Sequence, residues 1–227
     1  MKIYAVHSDR QLDRNDFEQL ISWVTPIEQD KIKHYRRWQD AQNSIIGKIM
    51  IRSILCRRYQ MNNYTIMFKK NDYGKPYILN KEDIHFNISH SGEWIVCAID
   101  TKPIGIDVEQ IKLMDIDIAK GLFSSEEYEA LMAIEEQQRL GYFYDLWTLK
   151  ESYIKADGRG LSISLDTFSC VSNEGQWDII SDKRYHCMQY DIDTGYKLSV
   201  CAYNNQFPKT IQLMNLEEFL VFIEGSK

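Results

Sequence analysis

The alternation of apolar and polar positions at residues 3–7 predicts an opening strand. Phe17, Leu20 and Ile21 then recur at helical spacing and predict a helix over 13–24. Thr25-Pro26 is a helix start, with the threonine as N-cap and the proline in the first turn. Ile32, Tyr35, Trp38, Ala41, Ile45, Ile49 and Leu55 carry the helical period to about residue 59, a length that invites a break, for which Gly47 is a candidate. Short strands are expected at 64–69, 84–89 and 93–100, with a turn at Asn71–Pro76, a hairpin connection at Ser91-Gly92 and another strand at 104–109. Helices at 115–121, from Ser124 to about 136, and at 138–157 follow, the last ending where Gly158 can take the C-cap. Strands at 165–171, 176–180, 184–191 and 196–203 and a short docking helix in the tail complete the pattern.

The order of elements repeats. Val96-Cys97-Ala98 returns as Val200-Cys201-Ala202, an offset of 104 residues, and the strands near Ile3 and Ile106 share that spacing to within one residue. The fold class expected is α+β: a pseudo-twofold duplication of two similar α/β subdomains, each a small antiparallel-rich sheet with packed helices. The first spans 1–103 and the second 104–227, with a site at the seam between them, where pockets often form.

Composition narrows the class. The 227 residues are 44% apolar and 26% charged, an ordinary globular balance. A net charge of −6 argues against a general nucleic-acid binder, and the absence of a long apolar run argues against a membrane span. Cys56, Cys97, Cys170, Cys187 and Cys201 are odd in number and widely spaced, which fits reduced, small core residues and a cytoplasmic location.

Chemistry concentrates in two acidic segments. Asp107 and Glu109 in Ile104–Glu109 share one face of a strand, with Ile104, Ile106 and Val108 on the other. Glu151 and Lys155 lie four apart on one face of a helix. Crowded carboxylates beside a lysine suit a hard divalent cation holding a phosphate; the competing readings are a solvated strand edge and a helix ion pair. Lys150 is either a solvated residue or a second phosphate contact. Ser89 and His90, in a tight polar segment, and Tyr73-Gly74-Lys75-Pro76, a turn with an aromatic and a lysine, are candidate phosphate and purine contacts, against ordinary turns. Between Lys31 and Arg58 eight basic residues face one acid, Asp40, a bias that fits a polyanionic ligand or an acidic partner. Ser124 and Glu127 form a capping-box pattern, a role that competes with Glu127 acting as a general base.

Taken together, these segments resemble the 4'-phosphopantetheinyl transferase family, in its monomeric, duplicated type that activates nonribosomal peptide synthetases. Gly105–Glu109 matches its Gly-x-Asp-x-Glu pattern, Trp147–Lys155 its Trp-x-x-Lys-Glu-Ser-x-x-Lys pattern, and Gly158–Leu161 the Gly-x-Gly-Leu that follows. Phe86–Ser91 and Tyr73–Pro76 match as well. The resemblance implies coenzyme A as co-substrate and a serine of a peptidyl, acyl or aryl carrier domain as acceptor. It implies Mg2+, with Mn2+ as a substitute, on Asp107, Glu109 and Glu151. Lys75, Ser89, His90 and Lys155 then contact phosphates, Tyr73, Gly74 and Pro76 lie near the adenine, Lys31 and Ser44 near the 3'-phosphate, and Glu127 matches the proposed base. Glu28 departs from the pattern, since family members often carry a basic residue there; Lys31, Lys33 or Arg36 are candidates to compensate. The basic helix and Leu113, Met114, Ile116, Leu122 and Phe123 are candidates for docking an acidic carrier, against ordinary core packing. Two rival readings stand beside this one: a non-catalytic coenzyme A or carrier-binding module, and a Mg2+-dependent coenzyme A pyrophosphatase.

Overall fold

The structure, a computed structural model, describes residues 1–173 and 175–225; residues 226–227 of the expected tail and the side chain of Leu161 lie outside that set. The first half runs β1 (Lys2–His7), α1 (Arg14–Ser22), α2 (Pro26–Lys33), α3 (Trp38–Tyr59), β2 (Phe68–Lys70), β3 (Pro76–Ile78), β4 (His85–Ser91) and β5 (Trp94–Asp100). The second runs β6 (Ile104–Gln110), α4 (Ser125–Ala133), α5 (Glu136–Asp157), β7 (Cys170–Asn173), β8 (Gln176–Ile179), β9 (His186–Tyr190), β10 (Tyr196–Ala202), β11 (Gln212–Met214) and α6 (Leu216–Glu224). One sheet has the order β11-β1-β5-β4, a second β6-β10-β9-β8-β7, and β2 and β3 form a small ribbon.

The two sheets stack face to face between helices. Alternation along β5 sends Ile95, Cys97 and Ile99 toward α3 and Trp94, Val96 and Ala98 into a core shared with Ile104, Ile106, Val108, Leu198 and Val200 of the second sheet. On the far side of that second sheet, Leu149, Tyr153 and Ile154 of α5 cover Cys187 and Cys201. The internal repeat is visible in the pairing. β1 lies antiparallel to β5 with β4 beyond it, and β6 lies antiparallel to β10 with β9 beyond it; the match places Tyr4 opposite Cys97 and Gly105 opposite Cys201.

Five expectations change, the first at 64–69, where Asn63–Thr65 form a 3-10 turn and β2 begins only at Phe68. The long helix breaks at residues 34–37, where Arg37 is extended, while Gly47 sits buried inside α3 against Ile88. Residues 116–121 form a 3-10 turn rather than an α-helix. Residues 165–167, expected in a strand, form another, and β7 starts only at Cys170. The tail does not stay with the second half: β11 pairs in parallel with β1, and Leu216, Phe219 and Ile223 of α6 pack into the core of the first sheet. Residue 103 lies between β5 and β6, which begins at Ile104, and β11 and α6 join the sheet and core of β1, β4 and β5.

Candidate functional site

β4 and β6 are the edge strands of their sheets, and side chains rather than a backbone ladder join them. Asn87, Ser89 and Ser91, two apart on β4, share one face. Asn87 Oδ1 accepts from Ile106 N at 2.9 Å, Ser89 Oγ donates to Asp107 Oδ1 at 3.0 Å, and Ser91 Oγ donates to Glu109 Oε2 at 2.8 Å while accepting from Gln110 N at 3.1 Å. These contacts satisfy edge groups that would otherwise be unpaired and fix both carboxylates at the seam.

Gly105 brings the helix to them. A Cβ built there would lie 2.1 Å from Ser152 O and 2.4 Å from Ala156 N, so the backbone of α5 rests directly on β6. That contact puts Lys155 across from Asp107: its Nζ donates to Asp107 Oδ1 at 2.5 Å and to Ser89 Oγ at 3.1 Å. Glu151, one turn back, is half-buried. The ion pair of Lys155 is therefore with Asp107, and is not the competing helix pair with Glu151, while its bond to Ser89 joins the two halves.

Electrostatics around this bridge are strained. Burial pushes the Asp107 carboxyl up to about 7; Lys155 works against that, and the charges of Glu109 and Glu151 add to it. The Glu151 carboxyl is likewise raised, first by burial and then, against the pull of Lys155, by Glu109. Asp107 Oδ2 is buried without a hydrogen-bond partner. An orphaned oxygen and mutually repelling carboxylates are what a hard cation relieves. Among the described residues no three ligating groups close into a ready-made cage. The donor set still fits Mg2+, which is ordinarily held by one or two carboxylates, water and phosphate oxygens.

A cavity of about 260 Å3 runs from Glu151 and Lys155 past Asn87 to Tyr73, Gly74, Pro76 and Gly160. Tyr73 is exposed at its mouth. Gly74 at φ 91° makes the turn that a side chain would strain. Lys75 differs from expectation: its ammonium points inward and donates to Ala156 O at 2.9 Å and Ile104 O at 3.2 Å, where burial, partly offset by Asp157, lowers it to about 8. His90 lies exposed on the other face of β4 from Ser89; loss of solvent and then Lys155 lower its imidazole, and Asp40 and Glu109 raise it. A larger cavity, about 740 Å3 beside Trp23, Cys56 and Arg57, contains none of the residues expected to act.

A second cavity, about 470 Å3, shares Pro76 with the first and holds Glu28, Lys31, Lys48 and Arg52. Glu28 caps α2 through Thr25 and bonds Lys48 and Arg52 at 3.0 Å each. Burial works to raise its carboxyl, but Lys48, the Thr25 amide and Arg52 hold it down at about 2. Lys48 and Arg52 of α3 therefore share one carboxylate, which offsets one of their two charges, and Arg57 donates to Phe222 O at 2.7 Å. Lys31 remains exposed. Asp40, Ser44 and Lys48 recur every four residues, so Ser44 lies on the α3 face between the residue that acts on His90 and the one that pairs with Glu28.

Glu127 stands apart from the carboxylate cluster. Its capping box with Ser124 is present, and its carboxylate also accepts from Cys170 N at 2.8 Å and pairs at 2.6 Å with Lys150. Lys150 is wholly buried and donates further to Leu165 O and Phe168 O, so it is neither solvated nor at a phosphate. Sequence reading missed Asn87 and Ser91; their spacing with Ser89 on one strand face was the available signal.

Comparison with known proteins gives the family. The model described as "4'-phosphopantetheinyl transferase, N-terminal" matches residues 11–102, and that described as "4'-phosphopantetheinyl transferase superfamily" matches residues 103–201. The chain is 41% identical to the 4'-phosphopantetheinyl transferase Sfp of Bacillus subtilis (strain 168), over 97% of this chain and 100% of that protein. It is 43% identical to another 4'-phosphopantetheinyl transferase of Bacillus subtilis over the same shares. It is 39% identical to the 4'-phosphopantetheinyl transferase gsp of Aneurinibacillus migulanus, over 89% of this chain and 86% of that protein.

Proposed function

The chain belongs to the 4'-phosphopantetheinyl transferase superfamily and moves the 4'-phosphopantetheine arm of coenzyme A onto a carrier-protein serine; we propose that it does so at the β4–β6–α5 seam. The observation that carries this reading is the Lys155 bridge to Asp107 and Ser89, with the orphaned Asp107 oxygen beside it and a cavity leading to Tyr73.

In this reading the serine hydroxyl attacks the β-phosphorus of coenzyme A, its proton passes to solvent water, and the bond to the leaving 3',5'-ADP oxygen breaks. Asp107, Glu109 and Glu151 would hold Mg2+, and the chemistry it would supply there is charge neutralisation of the pyrophosphate. Lys155 and Ser89 are already oriented by the seam and supply hydrogen bonds to the phosphates; His90, on the other face of β4, is a further phosphate contact at the rim. Tyr73, Gly74 and Pro76 line the nucleotide end. Lys31 and Ser44 border the 3'-phosphate from α2 and α3, and Glu28 acts there through Lys48 and Arg52. Glu127, closed into its pair with Lys150, positions α4 against the strand at Cys170 rather than taking the serine proton. The acceptors are peptidyl carriers of nonribosomal synthesis, with acyl and aryl carriers tolerated. The five free cysteines fit work in the reducing cytoplasm; among the described residues no helix is long and apolar enough to cross a membrane.

Asp107→Ala and Glu151→Ala test the assignment. Incubated with coenzyme A, Mg2+ and a carrier domain, the wild-type protein adds the mass of one phosphopantetheine to the carrier, and each variant loses at least about a hundredfold in rate while keeping its circular dichroism. Turnover within a fewfold of wild type would remove these residues from the site, and release of 3',5'-ADP without carrier modification would instead indicate hydrolysis.

A further inference from the structure

Two side chains of the nucleotide-end turn reach across the molecule to the same helix end. Asn71 Nδ2 donates to Gly158 O at 2.9 Å, and Lys75 Nζ donates to Ala156 O at 2.9 Å and Ile104 O at 3.2 Å. Ala156 is in the last turn of α5 and Gly158 is its C-cap, where carbonyls lack intrahelical partners and favour a cation. The turn is internally fixed as well: Asn71 Oδ1 accepts from Tyr73 N and Lys75 N, and Asn71 N donates to Lys75 O. Gly158, at φ 87°, leaves room for the arrangement, since a Cβ there would meet Lys75 Cδ at 3.0 Å.

We propose that Lys75 is a positioning residue: with Asn71 it latches the Tyr73–Pro76 turn to the C-terminal end of α5. The latch fixes the wall of the nucleotide cavity relative to Lys155 and Glu151, which lie about one and two turns back from Gly158 along the same helix. Resting on the coenzyme A reading above, it sets how well coenzyme A is held, not how fast phosphorus is attacked. Lys75 thereby does its work through carbonyl groups and not through a phosphate, and Asp157, beside it, adds a favourable charge.

Lys75→Met keeps the buried stem and removes the ammonium. It raises KM for coenzyme A roughly tenfold and leaves kcat within about twofold, and Asn71→Ala does the same. The double variant loses less than the product of the two, because both residues serve one contact. Hydrogen exchange on the protein without ligand supplies the decisive readout: the amides of Asn71, Tyr73 and Gly74 exchange faster in Lys75→Met than in wild type. Unchanged exchange together with raised KM would overturn the latch in favour of a direct phosphate contact, as would a loss seen with coenzyme A but not with 3'-dephospho-coenzyme A. An unchanged KM would overturn it outright. If the wild-type protein modifies no carrier, the coenzyme A reading fails, while the exchange comparison still decides the latch.

Discussion

Lys150 and Lys155 stand five residues apart on one helix and meet opposite fates. Lys155 spans the seam to Asp107, half-exposed at a cavity, whereas Lys150 turns away into a dry pair with Glu127. Breaking a buried pair by removing one partner leaves an uncompensated charge and costs about 3–5 kcal/mol. Glu127→Gln therefore lowers the melting temperature markedly and lowers turnover with it. Combining it with Lys150→Met removes both charges; the double variant regains most of the stability and, on the proposal that Glu127 positions rather than abstracts, most of the turnover. A double variant that refolds fully yet stays inactive, assayed by carrier modification, would restore Glu127 as the base. The Ser124–Glu127 capping box was legible because its partners are three residues apart. The Lys150 contact was not, because Phe168 and Leu165 reach it only after the chain turns back beyond α5.

Among the elements, β6 and α5 are joined at closer range than side chains allow, and Gly105 is the reason. The sequence pattern did show a strand with apolar residues on one face and Asp107 and Glu109 on the other, and that division holds in the structure. It did not show why a glycine interrupts the strand: the close approach is to backbone atoms of Ser152 and Ala156, some 47 residues on, and no local period reports it. The same limit hid the break between α2 and α3, where apolar spacing continues through residues that turn out exposed, such as Tyr35. Gly105→Ala would force the helix off the strand. Overpacking of this kind costs about 1–3 kcal/mol, and displacing Lys155 and Glu151 by about an ångström costs on the order of a hundredfold in rate. Turnover measured on the folded fraction should fall by that larger factor; a variant with near wild-type turnover would show that the close contact does not set the catalytic geometry.

At the scale of the whole molecule, duplication supplies two edge strands, β4 and β6, and the proposed site lies at the seam where they meet. The element order announced that much, but not that the tail returns to seal the first sheet, since β11 has only three residues. The surface proposed to meet a carrier is also smaller than the sequence implied. Phe123 is buried, and Met114, Ile116 and Leu122 pack with Phe143 and Leu146 beneath the turn that follows β6. Leu113, 95% exposed, and Ile118 are the apolar residues of that segment left facing outward. The basic excess shrinks in the same way, because Glu28 takes Lys48 and Arg52 while Lys31, Lys33, Arg36 and Arg37 stay exposed. An acidic carrier that meets this surface would bury Leu113 and feel those charges at long range. Burying a leucine is worth about 1.5–3 kcal/mol. Leu113→Asp therefore raises KM for the carrier by roughly tenfold or more, leaves the affinity for coenzyme A unchanged in calorimetry, and leaves the melting temperature where it was. Raising the salt concentration weakens the wild-type carrier interaction further by screening. If Leu113→Asp leaves carrier KM untouched, or if added salt has no effect on it, the carrier docks elsewhere on the molecule.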